Sequence, residues 1–484
     1  MKGQEAMKKG LILMAIISWV CVGCSKSSDS KDILDPKDPV TVTIWHYYNG
    51  SQLKAFDKLV QEFNMTVGAE KGIIVEGESQ GNVESLEQAV LDSVLNKAGA
   101  KEMPSVFAAY ADTAYEIDSL GMVVDLSPYF TREELDSYVD SYIEEGYLDG
   151  KDALKILPIA KSTEIFVINK TDWQPFADAC GYTLEDLQTV ENITKVAKAY
   201  YEWSDARTPA ENDGKAFFGR DAMANYMIIG AKQLGSEIFS VKDGKAELNF
   251  DKRVMKKLWE NYYVPFVKGY FSASGGFRSD DVKTGNILSF VGSSSGAMFF
   301  PDEVTFDDNT SYPIELEVLK APVFEGGENF LVQQGAGMVV TDTNEREIYA
   351  SVEFLKWFTQ EQQNIEFSLM SGYLPVKKGA NDLSVVKDES LDISEKNLKI
   401  VKAAMEEINT CELYTTKAFE KGGEARRVLE YALSDQAKSD REMVEERLKQ
   451  GCTLEEASKE FIQETAFEHW YANTKQQLES AMQE

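Results

Sequence analysis

Apolar positions along this chain recur with two different spacings, and the alternation between them sketches the fold. Val40-Thr-Val-Thr-Ile-Trp45 is rich in β-branched residues and predicts a strand. Ser51–Asn64 follows, with Leu53, Phe56, Leu59, Val60 and Phe63 at helical spacing. Gly72–Val75 predicts a short strand. Val83–Lys97 predicts a helix, with Val83, Leu86, Val90 and Val94 on one face. Pro104–Tyr110 predicts a strand and Asp112–Leu120 a short helix stopped by Gly121. Strands alternating with helices imply an α/β domain with a largely parallel sheet. Leu154–Asn169 differs: two extended stretches meet at Pro158, as expected of a crossing between domains. Beyond it the pattern turns helical and aromatic, over Ile193–Trp203, Asp221–Leu234 and Lys252–Val267. Asn286–Val291 predicts a strand leading into Gly292-Ser-Ser-Ser-Gly296. Ile314–Val323 and Gly337–Val340 are expected to be strands of the first-domain type, and Glu345–Phe358 a helix. The remainder, to Glu484, is helical and charged, without internal repeats.

One apolar run stands outside this pattern. Leu11–Val22 follows Lys8 and Lys9, and its 12 residues suit a signal-peptide core but fall short of the roughly 20 a membrane span needs. It ends at Gly23-Cys24 and a polar stretch, Ser25–Ser30. This resembles a bacterial lipoprotein signal, which implies cleavage after residue 23 and a lipid on Cys24. Cys21 departs from the usual residue of such signals, and bulky Val20 before it makes it a poor acceptor. Residues 24–39, punctuated by Pro36 and Pro39, read as a flexible tether.

Composition narrows the function further. A chain of 484 residues exceeds one hydrophobic core, so two or more domains are expected. The formal charge of −31 argues against nucleic acid or any anionic surface as a partner. Cys180, Cys411 and Cys452 are scattered and form neither a disulfide framework nor a metal spacing. With His46 and His469 the only histidines, a His-rich metal site is excluded. No cofactor and no metal are expected.

The order of several segments resembles the extracellular solute-binding proteins of bacterial ABC importers, in the group that includes maltose- and glycerol-3-phosphate-binding proteins. These are Val42–His46 with the helix ending Gln61-Glu-Phe-Asn64; Leu157–Ala160 leading to Val167–Lys170; Phe218-Gly-Arg220; Gly285–Phe290 with Gly292–Gly296; Gln334–Gly337; Glu353–Phe358; and Ser371–Val376. The resemblance spans roughly residues 40–430. It implies an α/β fold of two lobes, each a mostly parallel sheet flanked by helices, with ligand in the cleft between them and three chain crossings. The expected division is a first lobe of 40–157 plus 314–360 and a more helical second lobe of 158–313 plus 361–484. It also implies a non-enzymatic, monomeric receptor, tethered by lipid outside the cell, that delivers a sugar, oligosaccharide or related polyol to membrane permease subunits. Residues matching the ligand positions of the glycerol-3-phosphate-binding members are Ser293, Ser294, Ser295, Gly335 and Tyr373. Two departures weigh against a phosphorylated ligand. Tyr110-Ala111 stands where those members have Tyr-Glu, with Asp112 one place later, and the nearest match to their phosphate-side Arg lies around Lys417.

Sugar recognition needs polar groups for hydroxyl edges and aromatic rings for C–H faces. Strand and loop ends supply Trp45, Tyr47, Tyr48, Asn49, Tyr110, Asp112, Arg220, Asn225, Arg278, Phe299, Phe300 and Tyr373. Each also has a plain structural reading: Trp45 as core, Asp112 as a helix cap, Arg278 paired with Asp280 or Asp281, Tyr373 as a hinge plug, Gly335 as a backbone requirement. Gly292–Gly296 also satisfies G-x-S-x-G, so a serine hydrolase using Ser294 and His469 is an alternative, although Pro301 limits the helix such an elbow requires. A glycosidase using two carboxylates is a further alternative, with no pair singled out.

Overall fold

The computed structural model describes residues 33–148, 152–242, 244–381 and 393–483. The signal segment and Cys24 lie outside the described residues. No described helix is long and apolar enough to cross a membrane.

Two four-stranded sheets organise the molecule. The first has the order Gly337–Val340, Val106–Ala109, Val40–His46, Ile73–Ser79. Val40–His46 runs parallel to both neighbours, with Val40 opposite Ile73, His46 opposite Ser79 and Trp45 opposite Phe107. Gly337–Val340 closes the edge antiparallel. Helices Gly50–Phe63, Val83–Val94 and Ala111–Ser119 follow the three parallel strands, as parallel pairing demands a crossover after each. Helices cover the sheet, so Val106–Ala109 is buried at every position.

The second sheet has the order Leu316–Lys320, Glu164–Asn169, Ser289–Ser293, Phe218–Arg220. Glu164–Asn169 runs against both neighbours, and the other three strands share one direction. Leu316–Lys320 pairs Leu316 with Asn169 and Lys320 with Ile165. The expectation that Ile314–Val323 is a first-lobe strand is therefore corrected. It is a half-exposed edge strand, and nothing in its own residues names the sheet it joins. The chain enters the first sheet again only at Gly337–Val340, and helix Glu345–Phe358 then packs into the first core through Phe354, Leu355 and Phe358.

Three extended segments lie side by side between the sheets. Leu157 bridges Met338, Ser162 bridges Gln334 and Lys161 bridges Leu374. Helix Glu361–Ser371 ends at the third of them and is buried nearly all round. Phe367 joins the first-lobe core while Ile365 and Leu369 pack with Ile165 and Val167 of the second. Placing 361–484 wholly in the second lobe is thus too coarse: Val376 and Tyr373 also join the first core, and the Val376 carbonyl accepts the Val139 N–H. From Glu395 onward the chain packs mainly with the second lobe, although Ala418 joins the first core. Helix Gly422–Lys449 sets Ala425, Leu429, Leu433 and Ala437 into an aromatic core that includes the stacked pair Trp259–Tyr263, 4.6 Å between centroids.

Candidate binding cleft

The strand ends of the first lobe carry phenols. Tyr47 and Tyr48 follow Val40–His46, and Tyr110 follows Val106–Ala109 and precedes its helix. The crossing at Ser371–Val376 brings a fourth, Tyr373. Its hydroxyl lies 3.2 Å from that of Tyr47, its ring stacks on Phe367 at 6.0 Å, and the Tyr48 ring meets its face edge-on. Tyr110 also bonds Tyr47, and Ser295 bonds Tyr373. Ser295 pairs with Ser293 at 2.9 Å, and Ser293 donates to Ser162 at 3.2 Å. A run of hydroxyls thus passes from the first lobe, over the third crossing, to the second. Burial pushes the phenols of Tyr47, Tyr48, Tyr110 and Tyr373 well above the usual range, so all remain neutral donors and acceptors.

The second lobe contributes charge. Glu164, on the strand that starts after the first crossing, pairs with Arg220 and accepts from Asn225 Nδ2 at 3.0 Å. The same amide nitrogen reaches Gln334 Oε1 at 2.8 Å, and Arg426 donates to Asn225 Oδ1. Burial pushes the Glu164 carboxyl up, and Arg220 holds it back. Arg220 also lies over the Tyr226 ring at 5.3 Å. Glu430 accepts the Met223 and Ala224 N–H groups at 3.1 and 2.8 Å, which seats the helix carrying Asn225.

Asp112 faces this network from the first lobe. Burial pushes its carboxyl up to about 6; Arg426 pulls it back, Glu87 and Glu145 push it further, and the Phe419 N–H pulls it back. Asp112 is not the helix cap: Tyr110 holds that position, and Asp112 is the second residue of the first turn. Glu145 is itself bound by Lys161 at 2.7 Å and Gln333 at 2.5 Å, so the first crossing is anchored beside the cleft.

Other candidates have structural duties. Trp45 is 2% exposed within the first core, with Lys101 over its ring. Arg278 is buried, and its guanidinium is occupied by Asp281, the Gly275 carbonyl at 2.6 Å and Asp221 at 3.5 Å. Burial pushes Asp221 up to about 6 despite Arg278. Gly335 has φ +104°, and a Cβ there would lie 2.9 Å from the Ala160 carbonyl, so the second crossing requires glycine to lie on the first. Ser294 is fully buried; its hydroxyl donates to the Gly372 carbonyl at 2.9 Å and its N–H to Thr163. The helix after it is only Ser294–Ala297, and His469 is exposed on the terminal helix Glu464–Ala481, bonded to Asn473. The structure therefore gives the serine-hydrolase alternative no nucleophile–base pair.

The cleft guanidinium is Arg426, nine residues past the expected match at Lys417. Its place one turn into a long amphipathic helix was the available signal. Gln334, Glu164 and Ser162 were missed because polar residues in crossing segments carry no periodic mark.

The sequence pattern that defines the bacterial extracellular solute-binding proteins matches residues 58–391. No curated protein sequence matches the chain. Among solved structures, UgpB from Mycobacterium tuberculosis in complex with glycerophosphocholine superposes with a TM-score of 0.67 at 16% identity, covering 92% of this chain and 98% of that one. The cyclic α-maltosyl-1,6-maltose binding protein from Arthrobacter globiformis gives 0.62 at 16%, covering 92% and 99%. A solute-binding protein from Agrobacterium radiobacter K84 in complex with ribitol gives 0.61 at 17%, covering 91% and 100%. At these identities the likeness is one of fold.

Proposed function

Because this chain belongs to the bacterial extracellular solute-binding proteins, we propose that it captures a neutral, hydroxyl-rich solute, a carbohydrate or polyol, between its lobes and delivers it to the permease of an ABC importer. It is a binding protein and not an enzyme.

The observation that carries the ligand class is the hydroxyl run Tyr110–Tyr47–Tyr373–Ser295–Ser293, continued by the amides of Asn225 and Gln334. Such groups both donate and accept, as a sugar hydroxyl does. Structural neighbours captured with ribitol or named for a maltose derivative support the same class. A phosphate is disfavoured. The cationic Arg426 is already bonded to Asn225, and Asp112, Glu87, Glu145 and Glu164 surround the same space. The ligand-contacting set is Tyr47, Tyr110, Asp112, Asn225, Ser293, Ser295, Gln334, Tyr373 and Arg426. The receptor acts as a monomer, held at the outer face of the membrane by lipid on Cys24.

Calorimetric titration of the mature chain with maltotriose, ribitol and glycerophosphocholine tests the ligand class. Binding of maltotriose or ribitol is expected; binding of glycerophosphocholine alone would overturn the neutral-solute reading. A Cys24→Ala variant is expected to lose membrane retention, and retention with lipid attached would refute the anchor.

A further inference from the structure

Three contacts between the lobes share one form: a side chain of one lobe lies on a glycine of the other. The Phe299 ring, in the second lobe, lies against Gly50 at the start of helix Gly50–Phe63, where a Cβ would stand 2.9 Å from Cε1. Tyr115, on helix Ala111–Ser119, brings its hydroxyl to 2.6 Å from the Cβ position of Gly244, in the turn between strands Phe239–Lys242 and Lys245–Leu248. Asp112, on the same helix, brings Oδ1 to 2.3 Å and Cγ to 2.9 Å from the Cβ position of Gly422. None of these spaces accepts a methyl group without movement.

Gly50 and Gly244 have φ of +52° and +72°, so their backbone also favours glycine. Gly422 does not share that reason. It opens helix Gly422–Lys449 without a positive φ, and helix propensity favours alanine at such a position. What glycine provides there is room for Asp112, which also accepts the Phe419 N–H beside it.

We propose that Gly50, Gly244 and Gly422 are positioning residues for ligand capture: they let the lobes close to the depth at which Asp112 and Tyr110 come within reach of Arg426. The proposal rests on the inter-lobe cleft being the ligand site. Filling a seat holds the lobes apart, lowers the fraction of binding-competent closed protein and weakens affinity in proportion.

The test uses the mature chain and maltotriose. Gly422→Ala is expected to melt at or above the parent temperature yet bind about tenfold more weakly. Gly244→Ala is expected to weaken binding too, and adding Tyr115→Phe, which removes the obstructing oxygen, is expected to restore most of the loss. Strain at the positive φ alone would leave that double variant as weak as the single one, and this result would overturn the proposal, as would unchanged affinity in Gly422→Ala. A ligand-independent arm pairs Asp112→Cys with Gly422→Cys, which the geometry puts within disulfide reach. Under a mild oxidant, peptide mapping should find the 112–422 cross-link, and its absence would overturn the contact. If the parent binds neither maltotriose nor ribitol, the carbohydrate reading has failed, and the cross-link alone decides the seats.

Discussion

The two lobes are built from sheets of the same size with one reversed strand each, but the reversed strand sits at the edge of the first sheet and in the interior of the second. The consequence appears at the cleft. In the first lobe the parallel strands all end toward it, and those ends carry neutral phenols, Tyr47 and Tyr110. In the second lobe the reversed strand presents its beginning there, and Glu164 stands at that beginning, buried and needing Arg220 and Asn225 to satisfy it. The first lobe therefore faces the cleft mainly with phenols, and the second adds the hydroxyls of Ser293 and Ser295 and charges that are already paired to one another. The contrast teaches that a change at the buried Glu164–Arg220 pair should act mainly on folding, and one at the first-lobe phenols mainly on binding.

The largest expected effect breaks the second lobe. Glu164→Ala leaves the Arg220 guanidinium buried without its counter-ion, at a cost of about 3–5 kcal/mol. Urea unfolding measures it; a loss under about 1 kcal/mol would mean the pair is replaceable by water and the contrast between lobes is false.

Next comes a buried carboxyl outside the proposed ligand-contacting set. Glu407 is fully buried at the end of helix Glu395–Ile408, accepts the Ala321 N–H with one oxygen and has no partner for the other. Burial pushes it from 4.5 up to about 8, offset in part by the Ala321 N–H and Lys320. The native state thus holds a proton that the unfolded chain releases above pH 4.5. Stability falls as pH rises from about 4.5 to about 8, by roughly 4–5 kcal/mol over the window. Asp112 and Asp221, raised to about 6, add slopes of the same sign that end sooner. Above pH 7 the slope is therefore expected to be mainly that of Glu407. Glu407→Gln should flatten unfolding free energy between pH 7 and 9, and an unchanged slope would show that the carboxyl is ionised in the native protein.

The smallest effect on stability is expected in the first lobe. Tyr373→Phe keeps the ring on Phe367 and removes only the hydroxyl shared with Tyr47 and Ser295. Stability should fall by about 1 kcal/mol. Affinity for maltotriose should fall about tenfold, equivalent to about 1.4 kcal/mol. Unchanged affinity with a large stability loss would make Tyr373 a hinge plug and remove the middle of the hydroxyl run.

Much of this molecule is legible in local pattern. Helices with one apolar stripe, such as Gly50–Phe63, announce themselves because burial on one side imposes a period, and the strand Val40–His46 does so by its β-branched residues. The resemblance singles out Ser293, Ser295 and Tyr373, and the structure brings their hydroxyls into one run. Arg278 had two readings, and the structure shows the pairing with Asp281, three residues on; only its second carboxylate, Asp221, 57 positions earlier, was hidden. Glu164, Gln334 and Arg426 were illegible for the same reason, each defined by partners distant in sequence.

By itself the sequence determined the longer helices and strands, the expectation of more than one core, and the apolar run Leu11–Val22 before Gly23-Cys24, because each follows from local periodicity, length or composition. Only the tertiary structure decided that Leu316–Lys320 joins the second sheet, that helix Glu361–Ser371 serves both lobes, and that Gly422 makes room for Asp112. Strand pairing, two-sided burial and close approach across a cleft are relations between distant residues. They exist only once the chain has brought those residues within a few ångströms of each other.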